Sequence, residues 1–364
     1  MYGRDADSVT RIASLDFLRG IAALSVALPH FFVYSAANSG LFEAISGMAV
    51  EIFFVLSGFV LAPQIMYCVR QRSFAVLLRF LARRWMRTVP PYLVSLITVS
   101  VLFGEILSPD FWRYSFYVQN LWHQSNVNDY FPIAWSLSVE EWFYVCFPLF
   151  LLIIARMVSG TSAVLQIVLS LAVVAAIAGL RALCGDIDNW GPEVRRVVVF
   201  RFDSIVYGFL LFALVKKLEM GRFALPLFLS FILSGVICLK ILVLILYADD
   251  LGAKEAFPFV AAIFGMLAIA SFCGLNAAME RLAVVRRIGL YLGKVSYTIY
   301  LFHLQVLYLM HAAVHELSVP LQFVIYVAAM MTFVSAFFYL FERPILAARP
   351  GLTRAARMPR DVTR

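Results

Sequence analysis

The chain has little charge. Only 14% of its 364 residues are Asp, Glu, Lys or Arg, where a soluble domain carries about 25%. So little polar side chain cannot coat a water-facing surface, which excludes an ordinary cytosolic enzyme and a disordered protein. Cysteine is also sparse. Cys68, Cys146, Cys184, Cys238 and Cys273 are scattered singly with no C-x-x-C pair, which speaks against a disulfide framework and against a metal site. The chain has no G-x-x-x-x-G-K-[ST] loop, no H-E-x-x-H and no G-x-S-x-G. Nucleotide-driven transport, zinc proteolysis and elbow-serine hydrolysis therefore lack their signals. No period of 20–50 residues marks a repeat architecture.

What the chain has is apolar length. Hydrophobic residues make up 63% of it, and the mean hydropathy is +0.88. Long apolar runs fall near 15–35, 46–69, 89–107, 134–155, 162–183, 197–215, 225–247, 256–275, 291–314 and 319–341. Each approaches the ~20 residues that a membrane-spanning helix needs. The stretch 109–125, rich in Phe, Tyr and Trp but broken by polar residues, reads as an interfacial segment. Arg4 and Arg11 ahead of the first run, and Ala36-Ala37 after it, resemble a signal peptide. Arg19 inside that run and the nine runs after it favour a retained span.

The net charge is +8, and its placement points to membrane orientation rather than nucleic acid. Of the Lys and Arg residues, 21 collect in the two tails and alternate loops on one side, while five (Arg113, Arg181, Arg195, Arg196 and Lys254) lie on the other. The positive-inside rule then puts both termini in the cytoplasm and requires an even number of spans. The expected fold is an all-α integral membrane protein, a bundle of about ten transmembrane helices. It divides into a cytoplasmic segment 1–14, a membrane domain 15–341 and a basic tail 342–364.

Ionisable groups inside apolar runs are costly and therefore informative. Arg19 and His30 are 11 residues apart, close to three helical turns, so they share a face about 16 Å apart along the axis. The fourth run opens with Trp135, Ser136 and then Glu140 and Glu141, at the expected depth of His30. A carboxylate facing a histidine fixes its tautomer and supports its protonated form. Adjacent residues point about 100° apart on a helix, so only one of the two glutamates faces the bundle easily. Glu140 shares a stripe with Ser136 and Tyr144 and is the better candidate. The alternative is a carboxylate paired with a neighbour such as Arg201. Glu51 opens the second run ahead of Ser57-Gly58, a pair suited to close helix packing or to lining a channel. Ser296, Tyr300 and His303 form another polar stripe in the ninth run. For both His30 and His303 the competing reading is a hydrogen bond to a backbone carbonyl.

The loop 70–88 concentrates basic residues. Arg79, Arg83 and Arg87 fall at i, i+4 and i+8 with Arg84 beside them. Guanidinium forks suit phosphates, whereas topology and anionic lipid are the ordinary uses of such a loop.

Together these segments resemble the membrane acyltransferase 3 family. The resemblance rests on LDFLRG at 15–20, VEIFFVLSGFVL at 50–61, RRWMRTVPPY at 83–92, WSLSVEEWFY at 135–144, RFDSIVYGFLL at 201–211, SYTIYLFH at 296–303 and FERP at 341–344. Their order and spread cover the chain from end to end. The resemblance implies a bacterial inner-membrane enzyme of ten helices that moves an acyl group, often acetyl, from coenzyme A to a hydroxyl of a glycan or glycosylated acceptor. Arg19 and His30 match the family's Arg-x10-His pair, Arg84, Arg87 and Pro90 its R-x-x-R-x-x-P stretch, Ser57 and Gly58 its S-G-F element, and Glu140 its W-S-L-x-x-E carboxylate. Glu51 stands where Asp is frequent. Some relatives carry a soluble esterase-like domain after the last span, and only residues 342–364 follow it here, so that domain is expected to be absent.

The expected site therefore has His30, Glu140 and Arg19 in catalysis. Arg79, Arg83, Arg84 and Arg87 are expected on the phosphates of acyl-CoA, and Glu51, Ser57, Tyr144, Tyr300 and His303 along the substrate path. No metal is expected. The expected partners are lipid, acyl-CoA and a carbohydrate acceptor. A transporter or carrier of a glycan or small molecule is the rival reading, although no inverted repeat or pair of broken helices is visible.

Overall fold

The structure, a computed structural model, describes residues 12–35, 40–124, 129–158, 162–215 and 218–352. Arg4, Arg11, the Ala36-Ala37 pair, Lys216, Lys217 and the tail from residue 353, with Arg354, Arg357, Arg360 and Arg364, lie outside the described residues. Among the described residues all regular structure is helical. Ten helices among the described residues are long and apolar enough to cross a bilayer. In chain order they begin with α1 (Ala13–Ser35), α2 (Gly40–Gln71) and α3 (Phe74–Phe103). After a short α4 (Pro109–Ser115) come α5 (Ala134–Met157), α6 (Ala163–Cys184) and α7 (Val198–Val215). The last four are α8 (Ala224–Ala248), α9 (Leu251–Arg281), α10 (Ala283–Val314) and α11 (Val319–Phe337). The end of the bundle at which α1 begins is called the lower end below, and the opposite end the upper.

Several boundaries differ from the apolar runs, for one reason. A helix of 30 residues is about 45 Å long, while the hydrocarbon layer is about 30 Å, so the longer helices continue past the apolar stretch. The basic loop expected at 70–88 is thus mostly helix. α3 starts at Phe74 and runs through Pro90 and Pro91, carrying Arg79, Arg83, Arg84 and Arg87 on its first turns. Likewise, α9 and α10 are separated by Leu282 alone. The last span does not stop at 341. A π-helical turn, Phe338–Glu342, leads directly into α12 (Arg343–Ala347).

α2 is the most buried span, and α6, α8 and α11 are the least, so the bundle has a central helix and a lipid-facing periphery. α1 packs against α2, α9 and α10, and α7 and α9 also pack against α2. The α2–α7 contact depends on glycine. A Cβ on Gly58 would lie 1.9 Å from the Ile205 carbonyl oxygen, and one on Gly208 would lie 1.9 Å from that of Val55. The two backbones touch, as small residues permit in membranes. Beside this contact, Arg201 on α7 is ion-paired with Glu51 on α2, both fully buried.

The segment 109–125 is more than an interfacial strip. Beyond α4 the chain dips into the bundle, where Gln119 donates to Ser138 Oγ at 2.6 Å and Asn120 to the Trp135 carbonyl at 3.0 Å. Trp142, two turns into α5, donates to the Tyr117 carbonyl at 2.9 Å. Irregular backbone at this depth is tolerable because protein groups satisfy it.

Candidate active site

Three cavities follow one another through the bundle, and they share walls. The lower one, about 730 Å³, is lined by Asp16, Arg19, Gln64, Arg87, Lys294, Arg343 and Arg349 over a floor of Phe59, Phe212 and Phe338. The middle one, about 290 Å³, is lined by Arg19, Ser57, Arg83, Arg84, Arg87, Glu140, Tyr144 and Tyr300. The upper one, about 350 Å³, holds His30, Glu43, Ser46, Trp135, Arg195 and Tyr300. Arg19, Val60, Gln64, Arg87 and Arg349 line both the lower and middle spaces, and Val50 and Tyr300 both the middle and upper.

The lower cavity is strongly cationic. Five basic side chains face it against the single carboxylate of Asp16, which lies 3.7 Å from Arg19. Burial pushes the Arg349 guanidinium down to about 10, and Arg87 and Arg83 add to the shift. That repulsion between cations is relieved when an anion enters. Arg84, in the adjoining cavity, donates one Nη to Gln64 Oε1 at 3.3 Å, while its Nε is buried with no partner. Arg79 does not face either space. It donates instead to the Leu352 carbonyl at 3.4 Å.

Glu140 sits in the middle cavity, accepting from Ser57 Oγ and from Tyr144 OH, each at 2.7 Å. It does not reach His30. Between the two, the Tyr300 hydroxyl lies 2.6 Å from Ser136 Oγ and donates to the Ile133 carbonyl at 3.2 Å, closing the upper cavity from the middle one. The expected Glu140–His30 pair is therefore replaced. The neighbour of His30 is His303, whose Nε2 lies 3.2 Å from His30 Nδ1.

The proton positions in this pair follow from its carbonyl contacts. His30 Nδ1 is 2.7 Å from the Val26 carbonyl, and His303 Nδ1 is 2.8 Å from that of Tyr300 and 3.1 Å from that of Ile299. A carbonyl only accepts, so each Nδ1 carries the hydrogen. In the neutral rings the one His30 Nδ1–H is shared between the Val26 carbonyl at 2.7 Å and the lone pair of His303 Nε2 at 3.2 Å, and His30 Nε2 keeps a free lone pair. Ser46 Oγ, 3.3 Å from the same Val26 oxygen, closes the network. Both carbonyl contacts weighed as the competing reading are present, and they leave His30 Nε2 unengaged among the described residues.

Two further expectations change. Glu51 lines none of the three cavities and serves as the ion partner of Arg201, the role weighed for Glu140. The Ser57-Gly58 pair fills both weighed roles, since Gly58 makes the helix contact and Ser57 lines the cavity. The sequence reading missed Arg195, Glu43 and Ser46 above and Lys294, Arg343 and Arg349 below; for Arg195, Glu43, Arg343 and Arg349 the reason is that loop and helix-end charges are ordinarily spent on topology.

Comparison with known proteins decides the family. The acyltransferase 3 profile, described as an acyltransferase domain, matches residues 12–340. The chain belongs to this family. Among curated proteins, this acyltransferase 3 member is 29% identical over 183 residues to the peptidoglycan O-acetyltransferase OatA of Listeria monocytogenes, covering 46% of this chain and 28% of that protein. It is 29% identical over 367 residues to YrhL of Bacillus subtilis, a provisionally named peptidoglycan O-acetyltransferase, covering 92% of this chain and 55% of that one. OatA of Staphylococcus aureus is 32% identical over 154 residues, which is 38% of this chain and 24% of the relative. The acyltransferase 3 chain spans about half the length of YrhL and less of the OatA proteins. No solved structure matches it.

Proposed function

We propose that the protein is a membrane O-acyltransferase that moves an acyl group, acetyl in the simplest case, from acyl-CoA to a hydroxyl of a glycan or glycosylated acceptor. One observation carries the reading. A cationic cavity at one end of the bundle continues, through shared walls, to a histidine with a free basic nitrogen at the other. The 21-to-5 distribution of basic residues supports a cytoplasmic lower end, in a bacterial inner membrane. The names of the curated relatives support a glycan acceptor.

In this reading the phosphates of acyl-CoA rest among Arg19, Arg87, Lys294, Arg343 and Arg349, and the pantetheine arm runs through the middle cavity past Arg84 and Glu140. Withdrawal of the Tyr300 hydroxyl from Ser136 admits the thioester to the upper cavity. There His30 Nε2 takes the acceptor's hydroxyl proton as its oxygen bonds to the thioester carbon. The C–S bond then breaks, and the proton returns to the departing thiolate. His303 stands behind His30 and accepts from its Nδ1–H, so the ring is held with Nε2 facing the cavity.

The test is thiol release. Purified protein in detergent, given acetyl-CoA and an oligosaccharide acceptor, should liberate free coenzyme A with one acetyl group gained by the sugar in mass spectrometry. A carrier without transfer chemistry would move the glycan across vesicles and release no thiol.

A further inference from the structure

We propose that the upper cavity is an acceptor subsite in which Arg195 receives a carboxylate, so that an acidic sugar is the preferred acceptor. The choice of acylated hydroxyl rests on the acyl-transfer reading above, but the binding does not.

Arg195 ends a π-helical turn, Gly191–Arg195, between α6 and α7. Its guanidinium is stacked near three aromatic rings, 5.6 Å from the centroid of Trp135, 5.9 Å from Trp190 and 5.8 Å from Phe257. The space it fills exists because residue 47 is glycine, since a Cβ there would lie 2.5 Å from Arg195 Nη2. The side chain is thus held in one place, with the fork at the wall of the cavity that His30 also lines.

The fork has no anion of its own. Among the described residues Arg195 forms no ion pair and no hydrogen bond, and its Nε is buried without a partner. The carboxylate that acts on it most strongly, Glu51, is committed to Arg201. Glu43 stands exposed at the rim, and the neighbouring Arg196 is paired with Asp129 at 3.5 Å. Burial lowers the Arg195 guanidinium to about 10, which leaves it charged at neutral pH. The guanidinium is half-buried, with its fork at the cavity wall and no carboxylate of the described residues within hydrogen-bond reach, so it can take a planar anion that meets two N–H groups at once. A carboxylate fits that fork. The cavity, about 350 Å³, sits at the small end of ligand pockets at roughly 300–1,000 Å³, a size for one pyranose ring rather than a long oligosaccharide. A hexuronic acid has the ring, the carboxylate and free hydroxyls to present to His30.

Binding tests this without any turnover. Trp135 and Trp190 flank the guanidinium, so tryptophan fluorescence of the full chain in detergent reports occupancy, with calorimetry as a second readout. The probes are methyl glucuronide, its methyl ester and methyl glucoside. A charge-assisted hydrogen bond contributes about 1.5–3 kcal/mol, so the acid should bind about 10–100-fold more tightly than the ester or the glucoside. Arg195→Gln should bring that ratio close to one, and Arg195→Lys should keep part of it. Equal binding of acid and ester by the unaltered protein overturns the proposal, a result that stands even if Arg195→Gln fails to fold. So does tighter binding of glucose 1-phosphate than of the glucuronide, which would make the site one for phosphate. Arg195→Gln retaining full discrimination also overturns it. Absence of thiol release from acetyl-CoA would instead defeat the acyl-transfer reading and leave the binding result intact.

Discussion

His303 lies directly behind His30, Nε2 to Nδ1 at 3.2 Å, with ring centroids 5.0 Å apart. Most catalytic histidines are backed by a carboxylate. Here the backing group is a second neutral imidazole, itself tethered to two backbone carbonyls. The arrangement orients the His30 ring without a carboxylate behind it.

From this pair, His30→Gln should lower acyl transfer by about 10²–10⁴-fold, the usual contribution of a general base, with insertion and protein level near normal. Glutamine keeps the carbonyl hydrogen bond and loses the proton acceptor. His303→Phe should leave a smaller defect, in kcat rather than in KM for the donor, since it removes only what orients the ring. Near-normal turnover of His30→Gln would remove His30 from the chemistry.

Cations of the lower cavity should behave differently. With the donor's phosphates seated there as proposed, Lys294→Ala and Arg87→Ala would remove contacts made equally to bound donor and to transition state, so KM for acetyl-CoA should rise severalfold while kcat holds. Steady-state kinetics across donor concentration reads this directly. A fall in kcat at constant KM would contradict it.

The Glu51–Arg201 pair should be structural. Removing one partner leaves a buried charge uncompensated, at a cost of about 3–5 kcal/mol, so Glu51→Ala should lower the thermal midpoint in detergent and the yield of folded protein. The double replacement Glu51→Leu with Arg201→Met should recover much of that stability and, with it, activity per folded molecule. Failure of the double variant to fold better than Glu51→Ala would point to a role beyond pairing.

Gly58→Ala tests the helix contact. Its Cβ would meet the Ile205 carbonyl at 1.9 Å, and backbone cannot yield as a side chain can, so a loss of more than about 2 kcal/mol is expected. The same substitution at Gly179, where a Cβ meets nothing within 4 Å, should be neutral in the same melting assay.

Topology is testable with reporters active only outside the cytoplasm. Fusions at Asp188, between α6 and α7, should be active, and fusions at Glu219, between α7 and α8, should be silent. The reverse pattern would turn the whole bundle over, cavities included.

The spans were legible because membrane helices announce themselves by length and hydropathy, and all ten apolar runs became helices. Helix ends were not, since nothing in a basic amphipathic stretch such as 74–88 marks where lipid stops. Arg19, Ser57, Arg84, Arg87, Glu140 and Tyr144 do line one cavity, and helical phase was enough to place them there. Phase could not tell which side chain on another helix each would meet. Glu140 and Glu51 were both costly carboxylates in the sequence, yet one faces a cavity and the other a buried arginine. Arg195 escaped notice because its setting is assembled from Gly47, Trp135 and Phe257, which are far apart in the chain.

Tyr300 is the thin point of the molecule. In a membrane, solvent entering the upper cavity from one face and the lower and middle cavities from the other would bring both aqueous phases close to its hydroxyl. The transmembrane voltage would then fall across the few ångströms occupied by Tyr300, Ser136 and Val50 instead of the full hydrocarbon thickness. A charge carried past this point would feel about 2.3 kcal/mol per 100 mV. The fourfold-charged part of a nucleotide thioester would stay below it, and only the neutral acyl end would pass. In the proposed path, acyl groups would thus cross an energised bilayer with almost no electrical work.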